Sequence, residues 1–153
     1  MSVAFRRESD EEHKEPKFEL PIPPGPNYVT PRGLGLIADR IAALEAALAA
    51  AADEAGREEI ARDLRYWRTR QATALPAPAP AEDEAGIGSR VRFRLDGRER
   101  EIGIVGDDEA DPAAGLIAFS APLARALMGA MAGEAVDFGG RAEAIEVLAI
   151  ASA

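Results

Sequence analysis

The chain has 153 residues, of which 47% are hydrophobic and 29% are charged, a size that suits one domain or a small domain with an accessory element. Its 27 acidic and 18 basic residues give a net charge of -9, which disfavours a large phosphate-binding surface and therefore sequence-specific DNA binding. Cysteine is absent and histidine occurs once. These counts exclude disulfides and thiolate metal sites, and we predict neither a cofactor nor a resident metal.

Composition divides the chain into four segments. Residues 1–29 are charged and end in a proline-rich stretch, and they are predicted to form a disordered or extended tail, or an arm that docks on the folded part or on a partner. Residues 30–75 are predicted to be helical, residues 76–86 to form a proline-rich acidic linker, and residues 87–153 to form a C-terminal domain. The net charges of residues 1–29, 30–75 and 76–153 are -2, 0 and -7, so the C-terminal part carries most of the acidity.

The sequence contains no run of about 18 uncharged apolar residues of the kind that crosses a membrane. Its N-terminus is too charged for a signal peptide, because acidic residues follow the first arginines closely. We therefore expect a cytoplasmic protein with no membrane partner.

The helical segment begins with a strong start signal and carries two apolar seams. Thr30 can cap free backbone amides, and Pro31 is tolerated at the first helical position. Apolar residues then recur at spacings of three and four, with a break around Gly56. The seams consist of Leu34, Ile37, Ile41, Leu44 and Leu48, and of Ile60, Leu64, Trp67 and Gln71. The closing turns of the second helix hold Arg62, Arg65, Arg68 and Arg70, where cations complement the helix dipole. This pattern predicts an antiparallel helical hairpin, a short coiled coil.

From about residue 87 the apolar period changes to two. Val91, Phe93 and Leu95 alternate with arginines, and the pair Asp96-Gly97 is typical of a type I′ turn before a second strand. Further strands are predicted over residues 116–119, 134–138 and 144–150, and a short helix over residues 122–128. The predicted fold class is α+β, with the helical hairpin followed by a mostly antiparallel sheet and one short helix.

Two motifs in the C-terminal part resemble the Gre family of bacterial transcript-cleavage and elongation factors, GreA and GreB. The first covers residues 104–111 and the second residues 120–129, with a Gly-Glu pair at 133–134. The hairpin start at residues 30–33 is also similar to the opening of the family's N-terminal arm. The resemblance covers about residues 28–150. It implies an FKBP-like C-terminal domain on the rim of the RNA polymerase secondary channel and a helical hairpin that enters the channel.

The resemblance also implies where this chain would contact polymerase. The predicted contact residues are Asp107, Asp108, Glu109, Asp111, Ser120, Pro122 and Arg125. Ser120 stands where the family has an acidic or amide residue, whereas the proline is retained at Pro122. A second interpretation of the four carboxylates is a solvated acidic turn, which is favoured over a calcium loop because calcium loops stagger their ligands over about twelve residues.

The predicted hairpin tip carries four acidic residues, Asp53, Glu54, Glu58 and Glu59. In the family, a tip motif of the form Gly-Asp-x-x-Glu-Asn-Ala-x-Tyr supplies an acidic pair that helps to hold the second catalytic magnesium and an attacking water. That motif is absent here, and a first helix over residues 31–52 would be only about 33 Å long at ~1.5 Å per residue. We therefore expect these acids to complement the start of the second helix, with weak or no stimulation of transcript cleavage.

The leading hypothesis is a monomeric Gre-like factor that binds core RNA polymerase at the secondary-channel rim and regulates elongation without being an enzyme. The alternative is a regulator of nucleoside diphosphate kinase type, a relative that pairs a similar domain with a short hairpin, or another protein-binding regulator. A third hypothesis, a prolyl isomerase suggested by the FKBP-like fold, gains nothing from the sequence, in which eight aromatic residues are scattered over all segments.

Overall fold

A computed structural model describes residues 19–152 of the chain. Its helices and strands, in chain order, are β1 (Tyr28–Val29), α1 (Pro31–Ala50), α2 (Glu54–Thr73), β2 (Leu75–Pro76), β3 (Ser89–Leu95), β4 (Arg98–Val105), β5 (Leu116–Ala118), α3 (Pro122–Leu127), β6 (Ala135–Phe138) and β7 (Arg141–Ser152). The chain forms two compact units, a helical unit that includes residues 38–72 and a sheet unit that contains Gly25–Ile37 and the residues from Thr73 onward. The fold class is α+β with an N-terminal helical hairpin, which confirms the prediction.

The helical unit is a hairpin because only three residues, 51–53, separate α1 from α2. Ile41 and Leu64, one from each predicted seam, are buried. At the surface Arg68 pairs with Glu45 at 2.9 Å, which ties α2 to α1. Within residues 19–152, no helix is long and apolar enough to span a membrane.

Two seam positions differ from the prediction. On α2, Gln71 is exposed, and Arg70 is only 2% exposed. Neighbouring residues of a helix lie about 100° apart around its axis, so the side buried at the end of α2 is not the continuation of the predicted seam. On α1, Leu34 is 39% exposed, and Gly33 is buried in its place. The contact that buries Gly33 belongs to the candidate site described below.

The sheet unit is built on a five-stranded sheet in the order β5-β4-β3-β7-β6. All neighbouring strands are antiparallel except β4 and β5, which run parallel. The turn between β3 and β4 contains Asp96 and Gly97 with φ values of 53° and 75°, the positive angles that a type I′ turn requires. The predicted β-hairpin is therefore confirmed.

The core of the sheet unit lies on one face of the sheet, under α3. Val91 and Phe93 of β3 point into it together with Ile104 of β4 and Ile145 of β7, and α3 adds Leu127. Burying a side chain of this kind contributes about 1.5–3 kcal/mol, so the alternation along β3 determines which face of the strand is buried.

The segments that flank the helices belong to the sheet unit. β1 and β2 form a parallel pair, with Tyr28 opposite Leu75. At the other end of the predicted linker, Ala85 is buried in the core, and its backbone bonds to Ala130 and Gly129 at 2.8 Å each. Residues 76–86 are therefore attached to the sheet unit at both ends. Most of the predicted tail, residues 1–18, lies outside the described residues, and its last residues form β1.

Candidate functional site

The loop after β4 meets the start of α1 at the carboxylate of Glu109, which is only 3% exposed. Its Oε2 accepts hydrogen bonds from the backbone amides of Thr30 and Gly106, both at 3.1 Å, and its Oε1 accepts one from the Thr30 hydroxyl. The Arg32 guanidinium lies 3.9 Å from Oε1. Thr30 in turn caps α1, because its hydroxyl oxygen accepts from the amide of Gly33 at 3.1 Å. The carboxylate therefore serves donors on two helix starts, where a negative charge is favoured.

The interpretation of the acidic loop as a solvated turn is wrong for Glu109, whereas its predicted contact with polymerase stays a prediction. Its carboxylate accepts hydrogen bonds from backbone amides of the same chain, because buried amides require acceptors. A partial signal was present in the sequence, since Glu109 stands three residues after Gly106, the spacing at which a glutamate accepts from the amide of the residue that caps a helical turn, here the 3₁₀ turn Asp107–Glu109. Four acids within five residues concealed that spacing.

Two glycines allow the segments of this joint to approach closely. A Cβ atom on Gly106 would lie 2.5 Å from the carbonyl oxygen of Tyr28, and a Cβ atom on Gly33 would collide with the Glu109 carboxylate. Gly106 has an ordinary φ of -69°, so space rather than backbone conformation requires glycine there. The structure thus joins the motifs at residues 30–33 and 104–111, which are far apart in the sequence, into one packed joint.

The other predicted contact residues form an exposed or half-buried region that we call the loop-helix surface. It consists of Asp107, Asp108, Asp111, Ser120, Pro122 and Arg125. The Ser120 hydroxyl donates to Oδ1 of Asp107, so the turn before α3 is bonded to the acidic loop. Pro122 begins α3 and Arg125 lies in its last turn, and both are exposed. The backbone of Asp111 pairs with Leu116. The structure thus brings Asp107 and Ser120 together and leaves Pro122 and Arg125 accessible on α3.

At the hairpin tip the acidic residues serve the start of α2. Oδ1 of Asp53 accepts from the amide of Gly56 at 2.8 Å, which makes Asp53 the N-cap. Glu54 lies in the first turn, where its charge complements the helix dipole, and Glu58 and Glu59 follow one turn later on the exposed surface. Among the residues of the described range, no group of three or more histidine or carboxylate side chains is arranged to hold a metal ion.

The protein is thus a two-part α+β protein. Its first part is a helical hairpin, and its second is a small mixed sheet whose loop-helix surface is held by the buried contacts of Glu109. The sequence model of the family "Transcription elongation factor, GreA/GreB, C-term" matches residues 79–152. Residues 79–152 therefore form a GreA/GreB-type C-terminal domain.

Individual relatives carry the same names. Transcription elongation factor GreB of Neisseria meningitidis serogroup A is 38% identical over 99 residues, which cover 60% of each protein. GreA of Mesoplasma florum is 45% identical over 53 residues, 33% of this chain and 34% of that protein. The chain thus spans about 60% of the length of the GreB relative.

The solved structures to which the chain is similar include GreA factor homolog 1 of Thermus thermophilus, with 16% identity and a TM-score of 0.39 over 84% of this chain and 100% of that one. They also include the GreA/GreB factor of Nitrosomonas europaea, with 21% identity and a TM-score of 0.40 over 81% and 98%.

Proposed function

We propose that the protein binds core RNA polymerase at the rim of the secondary channel and regulates transcription elongation. The observation that carries the proposal is a preformed loop-helix surface on a domain that belongs to a family of elongation factors. Asp107 lies between two fixed points, its own bond to Ser120 and the buried carboxylate of Glu109 two residues later. A surface ordered before binding loses less conformational entropy when a partner docks.

The charge of the surface suggests what it contacts. Asp107, Asp108 and Asp111 outnumber Arg125, so the matching region of polymerase is expected to be basic. Such contacts are screened by salt over about 8 Å at physiological ionic strength, so binding should weaken as salt is raised. Pro122 adds an exposed apolar contact that salt does not screen.

We further propose that the protein has no catalysis of its own and stimulates transcript cleavage weakly or not at all. A second magnesium would need carboxylate oxygens directed away from the protein. Asp53 instead bonds to the amide of Gly56, and turning it toward a metal would leave that amide uncapped. Glu54 lies on the first turn of α2, where it complements the dipole.

Binding to core polymerase tests the proposal through two variants and a matched control. Pro122→Glu and Asp107→Asn alter the loop-helix surface, and the second keeps an oxygen acceptor for the Ser120 hydroxyl. Each is expected to weaken binding by about tenfold, which corresponds to ~1.4 kcal/mol. Glu82→Lys changes an exposed acid of the sheet unit that does not belong to the loop-helix surface and should leave the affinity within about twofold. No binding at micromolar protein, with binding to nucleoside diphosphate kinase instead, would favour the alternative regulator.

Stalled elongation complexes test the tip. Asp53→Asn/Glu54→Gln removes both charges, while asparagine remains a good N-cap. The wild-type chain and this variant are expected to show the same low level of cleavage. Strong cleavage that disappears in the variant would contradict the proposed inactivity of the tip without touching the binding proposal.

A further inference from the structure

Within the helical unit, the segment Glu19–Ile22 is fastened to α2 by an ion pair. The Arg65 guanidinium binds the Glu19 carboxylate through two of its nitrogen atoms. Nε lies 2.9 and 3.0 Å from the two carboxylate oxygens, and Nη2 lies 2.8 Å from Oε1. This two-pronged geometry is the strong form of an arginine-carboxylate contact. The hydrogen bond from Arg65 holds the pKa of Glu19 below its ordinary value and raises the pKa of Arg65, and the charge of Arg62 also lowers the pKa of Glu19.

An open groove lies between the segment and α2. The groove is lined by Glu19, Leu20, Ile22, Arg65, Tyr66, Arg68 and Thr69. Leu20 is half-buried there, whereas Ile22 remains 46% exposed. Pro21, Pro23 and Pro24 restrict the backbone to extended conformations, which lowers the entropy that docking costs. The face of α2 that the segment contacts is therefore suited to a short extended peptide that offers a carboxylate followed by an aliphatic side chain.

The arginine face of α2 has more donors than the docked segment uses. Arg62 lies one turn before Arg65, and its Nε atom is buried without a hydrogen-bond acceptor. A buried donor without an acceptor is unfavourable. The positive charge of Arg62 also acts on the Glu19 carboxylate, so it adds to the attraction for a carboxylate bound at Arg65. Glu58 also acts on Arg65, but only through its charge. Two arginines thus share the single carboxylate of Glu19.

We propose that Glu19–Ile22 is a detachable strap that closes the arginine face of α2, and that an acidic extended peptide of a partner protein binds this face by displacing Glu19. The Arg65 and Glu19 side chains are 47% and 61% exposed, and exposed ion pairs are weak and screened by salt, so the strap can open. A partner peptide then pays for opening, which lowers its apparent affinity by the fraction of chains that are open. The inference concerns a contact within the chain and does not rest on the proposed function.

Nuclear magnetic resonance of the full chain tests the strap directly. In the wild type, the Hε proton of Arg65 should exchange slowly with water, and the methyl groups of Leu20 should be ordered. Glu19→Gln should accelerate the exchange and free the methyls. Glu19→Arg and Arg65→Glu should each release the strap, and the double variant should restore it. The matched control is Glu54→Gln, which removes the charge of an exposed carboxylate on the first turn of α2, outside the groove lining, and should leave the strap signals unchanged.

Partner chemistry is tested with a blocked synthetic peptide of the strap sequence, Phe-Glu-Leu-Pro-Ile-Pro-Pro. It should bind the full-length Glu19→Gln variant about tenfold more tightly than the wild type if the wild-type strap is closed about nine-tenths of the time. A glutamine-containing version of the peptide should not bind. Equal peptide affinity for both proteins, Arg65 exchange that ignores Glu19→Gln, or displacement by short polyphosphate but not by the peptide would overturn the proposal.

Discussion

Replacing Glu109 tests whether the acidic loop is fastened from the inside. Glu109→Ala removes the acceptor of three hydrogen bonds at a site that is 3% exposed. The Thr30 hydroxyl can turn elsewhere, but the amides of Thr30 and Gly106 cannot, and each buried donor left without a partner costs about 1–3 kcal/mol. Losing the charged acceptor adds to this, so the sheet unit should lose about 3–5 kcal/mol of unfolding free energy. That is a large part of the ~5–15 kcal/mol typical of a domain.

The assay is hydrogen exchange of the β3 and β4 amides, because it follows the sheet unit separately from the helices. Glu109→Gln keeps a carbonyl oxygen for the two amides and should cost less, about 1–2 kcal/mol. Asp111→Ala removes an exposed carboxylate of the same loop and should change the free energy of unfolding by no more than about 0.5 kcal/mol. If Glu109→Ala destabilised the sheet unit no more than Asp111→Ala does, the joint would not have the role assigned to it.

Three further predictions follow from local contacts. Gly106→Ala should lower the free energy of unfolding by about 1–3 kcal/mol, because its Cβ meets the Tyr28 carbonyl. Gly35→Ala, which adds a Cβ in open space on α1, should raise it by about 0.5–1 kcal/mol. Thermal unfolding compares the two variants, and equal effects would contradict the close approach at Gly106. Asp53→Ala should cost the hairpin about 1 kcal/mol and Asp53→Asn much less, as measured by urea unfolding followed through Trp67, and equal losses would argue against the cap. Because the folded pKa of Glu19 is lowered, its pair with Arg65 stabilises above the ordinary value of 4.5 and is lost as pH falls through the folded value. A carboxyl titration midpoint that did not rise in Arg65→Gln would refute this assignment.

Local patterns were sufficient for most of the fold. The alternation at Val91 and Phe93 identified β3 and its buried face, because side chains in a strand point to opposite faces in turn. Asp96-Gly97 located the turn, because its positive φ angles suit few other residues. Thr30-Pro31 located the start of α1 for a similar reason, since capping is a property of a few neighbouring residues.

The candidate site was predicted less completely. The sequence indicated an acidic loop and the Ser120 turn, but it could not show that Ser120 bonds to Asp107, thirteen residues away. The strap was also beyond reach, because Glu19 and Arg65 are 46 residues apart and many other acids could have paired with that arginine. The burial of Arg70 was missed as well, because the heptad spacing placed its neighbour Gln71 in the predicted seam.

Short-range patterns were enough to predict the α+β order of the chain, its helical hairpin, and the two motifs that resemble an elongation-factor family. These features follow from hydrophobic periodicity and helix capping, which depend on residues only a few positions apart. The burial of Glu109 depends on long-range contacts, whereas the three neighbouring acids form part of the loop-helix surface. Its partner Thr30 lies 79 residues away, and only the folding of β1 over Gly106 brings that amide and hydroxyl to the carboxylate.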